Sequence, residues 1–153
     1  MALEGGCACG GVRYRLNREP VFVQACHCTD CQRLTGSAFV INAWIERSEV
    51  EVTSGAPVHH ALQGGSGTQH DVHFCPACAT YLWSDYHGAV GSLFVRVGTL
   101  DDPRAIPPRA QIFTRSKQPW VVLPSDMPAF DGFYNPMEFL PEDSLARLAA
   151  LRA

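Results

Sequence analysis

Cys26-His27-Cys28-Thr29-Asp30-Cys31 holds three thiols within six residues. Two further groups stand far from it, Cys7-Ala8-Cys9 upstream and Cys75-Pro76-Ala77-Cys78 downstream. Seven cysteines is an odd count, which fits a closed disulfide framework poorly, and clustered thiols in a reducing cytoplasm are metal ligands or redox centres. Structural zinc takes four tetrahedral ligands, commonly as two close pairs from distant parts of the chain. The outer groups supply such pairs, so Cys7, Cys9, Cys75 and Cys78 are expected to hold one structural zinc ion. The middle trio, Cys26, Cys28 and Cys31, then grips a second zinc ion and leaves its fourth position to water or substrate, the pattern of a catalytic site. The division of four and three leaves no cysteine over.

Other readings of these thiols stay open. A Cys-x-x-Cys pair can be a redox dithiol, and an iron–sulfur cluster also takes four thiolates, although the ferredoxin spacings are absent. The trio can also recruit a fourth protein ligand, such as an imidazole, and close. His27 lies between two of the thiols, but successive side chains of extended backbone alternate, so it is expected to pack behind the metal. His59, His60, His70, His73 and His87 are read as surface or strand residues.

Three thiolates donate density to zinc and blunt its Lewis acidity, so an open site of this kind suits a soft ligand, a substrate thiol held as thiolate. Sulfur chemistry at a small carbonyl carbon follows as the expected reaction class. In the segment after the trio, Thr35, Ser37 and backbone N–H groups are candidates to hydrogen-bond the sulfurs, and Arg33 to pair with an anionic group. Arg115, Lys117 and Trp120 form a cationic–aromatic segment that either holds a carboxylate or is a solvated loop around one buried tryptophan.

The remaining sequence reads as short strands between turns. Gly11–Leu16, Val21–Ala25, Ser37–Ile45, Val50–Thr53, Val72–Phe74, Thr80–Trp83, Leu93–Val97, Gln111–Thr114 and Trp120–Leu123 carry β-type patterns. Gly64-Gly65-Ser66-Gly67 is a loop, without the Lys-Ser/Thr pair of a phosphate cradle. One helix is expected, opened by Pro141 with Glu142 and Asp143 in its first turn. Eleven prolines and thirteen glycines among such strands predict a mainly β fold. The 153 residues suit a single domain, 1–153, with a C-terminal extension and helix over 134–153. A net charge of -3 without a basic block argues against nucleic acid or an anionic membrane as partner. No apolar run approaches the ~20 residues that span a bilayer, and the opening Met1-Ala2-Leu3-Glu4-Gly5-Gly6-Cys7 lacks a signal-peptide pattern, so a cytoplasmic location is expected.

Gly5-Gly6-Cys7-Ala8-Cys9-Gly10, the block from Cys26 through Gln32-Arg33-Leu34-Thr35-Gly36-Ser37, and Phe74-Cys75-Pro76-Ala77-Cys78 together resemble the glutathione-dependent formaldehyde-activating enzyme family, which includes centromere-protein-V-like members. The stretch Phe113 to Phe133, with Ser116-Lys117 and Pro119-Trp120, extends the resemblance, which covers residues ~5 to ~133. It implies a β-tent fold of small antiparallel sheets around zinc, a structural zinc on Cys7, Cys9, Cys75 and Cys78, and a reactive zinc on Cys26, Cys28 and Cys31. It also implies a carbon–sulfur lyase that condenses glutathione with formaldehyde to S-hydroxymethylglutathione. Ala79 departs from the family's usual glycine after the last cysteine, with a modest local effect expected if the backbone there needs positive φ. The alternative function is a non-enzymatic zinc module that binds a thiol ligand or a protein partner. Methionine-R-sulfoxide reductase, which shares the fold, needs a late nucleophilic cysteine, and none follows Cys78.

Overall fold

The computed structural model describes residues 3–152, so Met1, Ala2 and Ala153, the ends of the stretches read above, lie outside the described residues. Ten strands run through the chain: β1 (Leu3–Gly6), β2 (Arg13–Leu16), β3 (Phe22–Cys26), β4 (Val40–Glu46), β5 (Val50–Ser54), β6 (Val58–Gln63), β7 (Gln69–Phe74), β8 (Tyr81–Tyr86), β9 (Ser92–Arg96) and β10 (Gln111–Ile112). Among the described residues three α-helices accompany them: α1 (Thr29–Thr35), α2 (Pro136–Phe139) and α3 (Glu142–Ala150). A three-stranded sheet has the order β1-β2-β5, and a seven-stranded sheet the order β10-β3-β4-β9-β8-β7-β6. All pairings are antiparallel except β3 with β10. The fold is thus mainly β with a short C-terminal helix, as expected. No helix of the described residues is long and apolar enough to cross a membrane.

Strand alternation gives the large sheet two different faces. Ala43 and Ile45 of β4 and Leu93 and Val95 of β9 point to one side, where they join Tyr14 and Leu16 of β2 in a core between the two sheets. Tyr14 stands edge-on to Trp83 at 5.6 Å and bonds Thr99 Oγ1 at 2.7 Å. Gly5 lets this contact close, since a Cβ there would lie 2.6 Å from both the Tyr14 ring and the Thr99 carbonyl. The opposite face carries Phe22 and Cys26 of β3, Trp44 of β4 and Phe94 of β9. The C-terminal segment covers it with Tyr134 and Leu140.

Three departures from the sequence reading have physical causes. Residues 29–35 form a helix, capped by the Cys28 sulfur, which accepts from Cys31 N–H at 3.3 Å. Val58–Gln63 is a strand exposed along its whole length, so it lacks the apolar alternation that marks a half-buried one. Trp120–Leu123 is not a strand: Pro119 and Pro124 bracket it, and Trp120 and Val122 are exposed at 72% and 89%. The expectation of a buried tryptophan at 120 is therefore corrected. The glycine loop at 64–67 is a hairpin turn between β6 and β7, and Gly65 N–H donates to Asp30 of α1 at 2.9 Å.

Candidate metal centres

The first cluster joins the two outer cysteine groups. Leaving β1, the chain turns back on itself, with Gly10 N–H on the Cys7 carbonyl at 3.0 Å. Val12 N–H donates to the Cys7 sulfur at 3.1 Å. After β7, a second turn places Ala79 N–H on the Cys75 carbonyl at 2.9 Å, and Ala79 takes a φ of 59° there. Thr80 ties the turns together, accepting from Ala8 N–H at 3.0 Å and meeting the Cys78 sulfur at 3.1 Å. That contact draws the Cys78 thiol down to about 5. The four sulfurs lie within 4.8 Å of one another. Cys7 and Cys9 are 3.5 Å apart and Cys9 and Cys75 3.8 Å, far longer than a disulfide. A tetrahedral ion with ~2.3 Å bonds separates its sulfurs by about 3.8 Å, so this cluster fits a metal ion.

The second cluster is the middle trio. Cys26 ends β3, Cys28 caps α1 and Cys31 lies in its first turn, with the three sulfurs within 4.8 Å. Cys26 and Cys31 are buried and Cys28 is half-buried. No Asp, Glu or His joins the group among the described residues. Contact with Cys26 and Cys31, reinforced by backbone N–H groups at the start of α1, lowers the Cys28 thiol strongly, to about 2. Contact with Cys28 and Cys31, together with burial, raises Cys26. A divalent cation is the species that lets three crowded sulfurs all ionise, and the donor set fits a soft one.

His27 turns away from the sulfurs. Its Nε2 meets Gln111 Oε1 at 2.7 Å, and its ring lies 5.0 Å from that of Phe39. Its carbonyl accepts from Gln32 Nε2 at 2.7 Å and Ser116 Oγ at 3.0 Å. Gln118 Nε2 closes the clamp on Gln32 Oε1 at 2.7 Å. The segment 116–118 is thereby fastened beside the trio. Within it Lys117 donates to the Val121 carbonyl at 3.1 Å, and Arg115 lies 5.7 Å from the Phe113 ring centre. The hydroxyls do not reach the sulfurs: Thr35 donates to the Cys31 carbonyl at 2.7 Å and accepts from Ser37 N–H at 3.3 Å. The N–H groups that do reach a sulfur, those of Asp30 and Cys31 on Cys28, belong to the trio's own stretch rather than to the segment after it. Arg33 is exposed.

Sequence reasoning missed a polar cluster on the trio's side of the sheet. Arg96 of β9 is 5% exposed and donates to Asn42 Oδ1, to Tyr81 Oη at 2.5 Å and to Ser84 Oγ at 2.8 Å. His70 Nε2 meets the same Ser84 hydroxyl at 2.8 Å, and burial, with Arg96, holds His70 down to about 4. An arginine inside the apolar run Leu93–Val97 was the available signal. A third group, Asp71, Asp85 and His87, is satisfied by its own contacts, His87 Nε2 meeting Asp71 Oδ2 at 2.8 Å and Arg47 pairing with Asp85 at 2.6 Å.

Two sheets joined at one end by four thiols, with a three-thiol group on the far face, define a small β protein with two cysteine clusters that could each hold a soft metal ion. Residues 2–116 match the glutathione-dependent formaldehyde-activating enzyme family, and the chain belongs to it. A Halomonas elongata protein named "Putative glutathione-dependent formaldehyde-activating enzyme" is 30% identical over 132 residues, covering 82% of this chain and 83% of that one. A crystal structure of a Rhodobacter sphaeroides protein superposes with a TM-score of 0.51 at 26% identity, over 67% of this chain and 93% of that one.

Proposed function

We propose that this chain is a zinc-dependent carbon–sulfur lyase that joins a small thiol to formaldehyde, with glutathione the first thiol to test. The family and the name of the Halomonas relative support this reaction. The observation that carries it is the inequality of the clusters, four gathered thiols in one and three in the other. In this reading Cys7, Cys9, Cys75 and Cys78 hold a structural zinc ion, and Cys26, Cys28 and Cys31 hold the reactive one. A zinc ion on three thiolates supplies a soft position at which a fourth sulfur stays deprotonated at neutral pH.

The chain's own residues do the rest. The clamp of Gln32, Ser116 and Gln118 keeps the trio's backbone fixed, so the sulfurs need not reorganise when a ligand arrives. Burial of Cys26 and Cys31 leaves Cys28 as the approachable side. In the reaction the thiol sulfur bonds to the carbonyl carbon, the C=O π pair moves to oxygen, and the thiol proton ends there as a hydroxyl. Seven free thiols also suit the reducing cytoplasm, where we place the protein.

The test is metal content together with rate. Two zinc ions per chain are expected, with glutathione and formaldehyde consumed faster than in the protein-free control. Cys28→Ser should lower the rate at least ~100-fold, as removal of an electrostatic contributor does, while keeping one ion. A rate equal to the control in zinc-replete protein overturns the enzyme, and saturable thiol binding without turnover would leave the binding-module alternative.

A further inference from the structure

Arg96 is the one charged side chain that the fold buries without a carboxylate partner among the described residues, although an ionised Cys31 of the trio attracts it through space. Glu46 has Arg147, and Asp85 has Arg47. The partners of Arg96 are all neutral: Asn42, Tyr81 and Ser84. Its buried Nε–H has no acceptor at all. Taking a guanidinium out of water is costly, and neutral acceptors offset only part of that penalty.

Arg96 is also among the residues that line a cavity of about 280 Å³. Phe39, Val40 and Ile41 are its apolar lining, and Thr35, Tyr81 and Arg96 its polar lining. Two contacts place it against the trio. Val40 pairs directly with Cys26 across β3 and β4, and Thr35, which also lines the cavity, bonds the Cys31 carbonyl at 2.7 Å. A mostly apolar cavity whose lining includes an arginine without a carboxylate partner, beside a thiol-rich group, has the chemistry of a receptor for a short organic acid that carries sulfur.

We propose that this cavity receives the carboxylate-bearing part of a small thiol, with Arg96 as its cationic contact and the ligand's sulfur directed to the trio. The proposal rests on the reading of Cys26, Cys28 and Cys31 as a thiol-accepting metal site, and adds which thiols it selects. Neutral thiols reach the trio but leave Arg96 without a carboxylate, whereas thiol acids engage both. Selection then comes from a pre-placed charge on the scaffold of β4, β8 and β9 rather than from a loop.

Cobalt(II)-loaded full-length protein gives a readout independent of turnover, because a thiolate on cobalt produces a charge-transfer band. Titrations with 3-mercaptopropionate and with the neutral 3-mercapto-1-propanol, matched in length, compare the two ends directly. The thiol acid is expected to bind about ten-fold more tightly, the scale of a charge-assisted hydrogen bond. Arg96→Gln should abolish that preference and leave the neutral thiol unchanged. Equal affinities of the two thiols for the wild-type protein overturn the proposal, and this comparison needs no variant to fold. If neither thiol alters the cobalt spectrum, the thiol reading of the trio fails by itself. A propionate titration then decides the cavity: a saturable shift of the Arg96 Nε–H resonance supports the anion site, and an unmoved resonance overturns it.

Discussion

Ala79 sits at φ 59°, a left-handed conformation that costs a residue with a Cβ about 1–2 kcal/mol. The turn needs it there, because Ala79 N–H closes back on the Cys75 carbonyl between two of the gathered thiols. Glycine adopts this backbone freely but loses more entropy on folding. The difference predicts that Ala79→Gly stabilises the metal-loaded protein by about 0.5–1 kcal/mol, read as a higher melting temperature. Gly5 is the opposite case. Its φ is ordinary, but a methyl group would meet the Thr99 carbonyl at 2.6 Å, a backbone atom with little room to yield. Gly5→Ala is expected to destabilise by about 1–3 kcal/mol, as overpacking does, with the near-ultraviolet signal of Trp83 changed through its Tyr14 neighbour.

α3 packs Leu145 and Leu148 against the core and is also joined to the sheet by one fork. Arg147 donates from Nε to Glu46 Oε1 at 2.7 Å and from Nη2 to Oε2 at 2.5 Å, joining the helix to the end of β4. Burial alone pushes the Glu46 carboxyl up, but Arg147 more than offsets it, so the net displacement is below the usual carboxylate range. The group's contribution is therefore complete above pH ~4.3, its unfolded value, and disappears as pH falls through the lower folded value. Glu46→Gln should cost about 1.5–3 kcal/mol at pH 7, and the gap between variant and wild-type melting curves should narrow below pH 4.

Elements also explain what could be read from residue order and what could not. Strands such as Phe22–Cys26 and Ser92–Arg96 announce themselves because burial demands apolar runs. The grouping of Cys7 and Cys9 with Cys75 and Cys78 followed from spacing, and those sulfurs do lie together. α1 was hidden because its cap is a sulfur rather than the usual hydroxyl or carboxylate, and because seven residues carry too little period to detect. The Arg96 cluster was hidden for a different reason. Asn42, Tyr81, Ser84 and Arg96 are spread over three strands, and only sheet register brings them together.

At the scale of the whole molecule the two thiol groups have different mechanical duties. The four-thiol cluster ties the exit of β1 to the exit of β7, which are more than sixty residues apart, whereas the trio gathers residues from one short stretch. If each holds zinc, graded chelation should proceed in two steps. The ion at the trio leaves first, with the far-ultraviolet circular dichroism kept. Loss of the ion at the four-thiol cluster then removes several kcal/mol of folding energy and collapses the spectrum. A single concerted loss of both ions with unfolding would contradict that order.

Along β4 and β9 each step of one residue crosses the sheet, from the inter-sheet core at Ala43, Ile45 and Val95 to the trio's side at Asn42, Trp44 and Arg96. Adjacent positions in the gene therefore answer to different pressures. If the trio's side binds a ligand as proposed, a codon change there alters what is bound, while its neighbour's alters whether the chain stands up. Ligand preference in such a scaffold would then drift by substitutions at every second residue while the intervening ones hold the architecture constant.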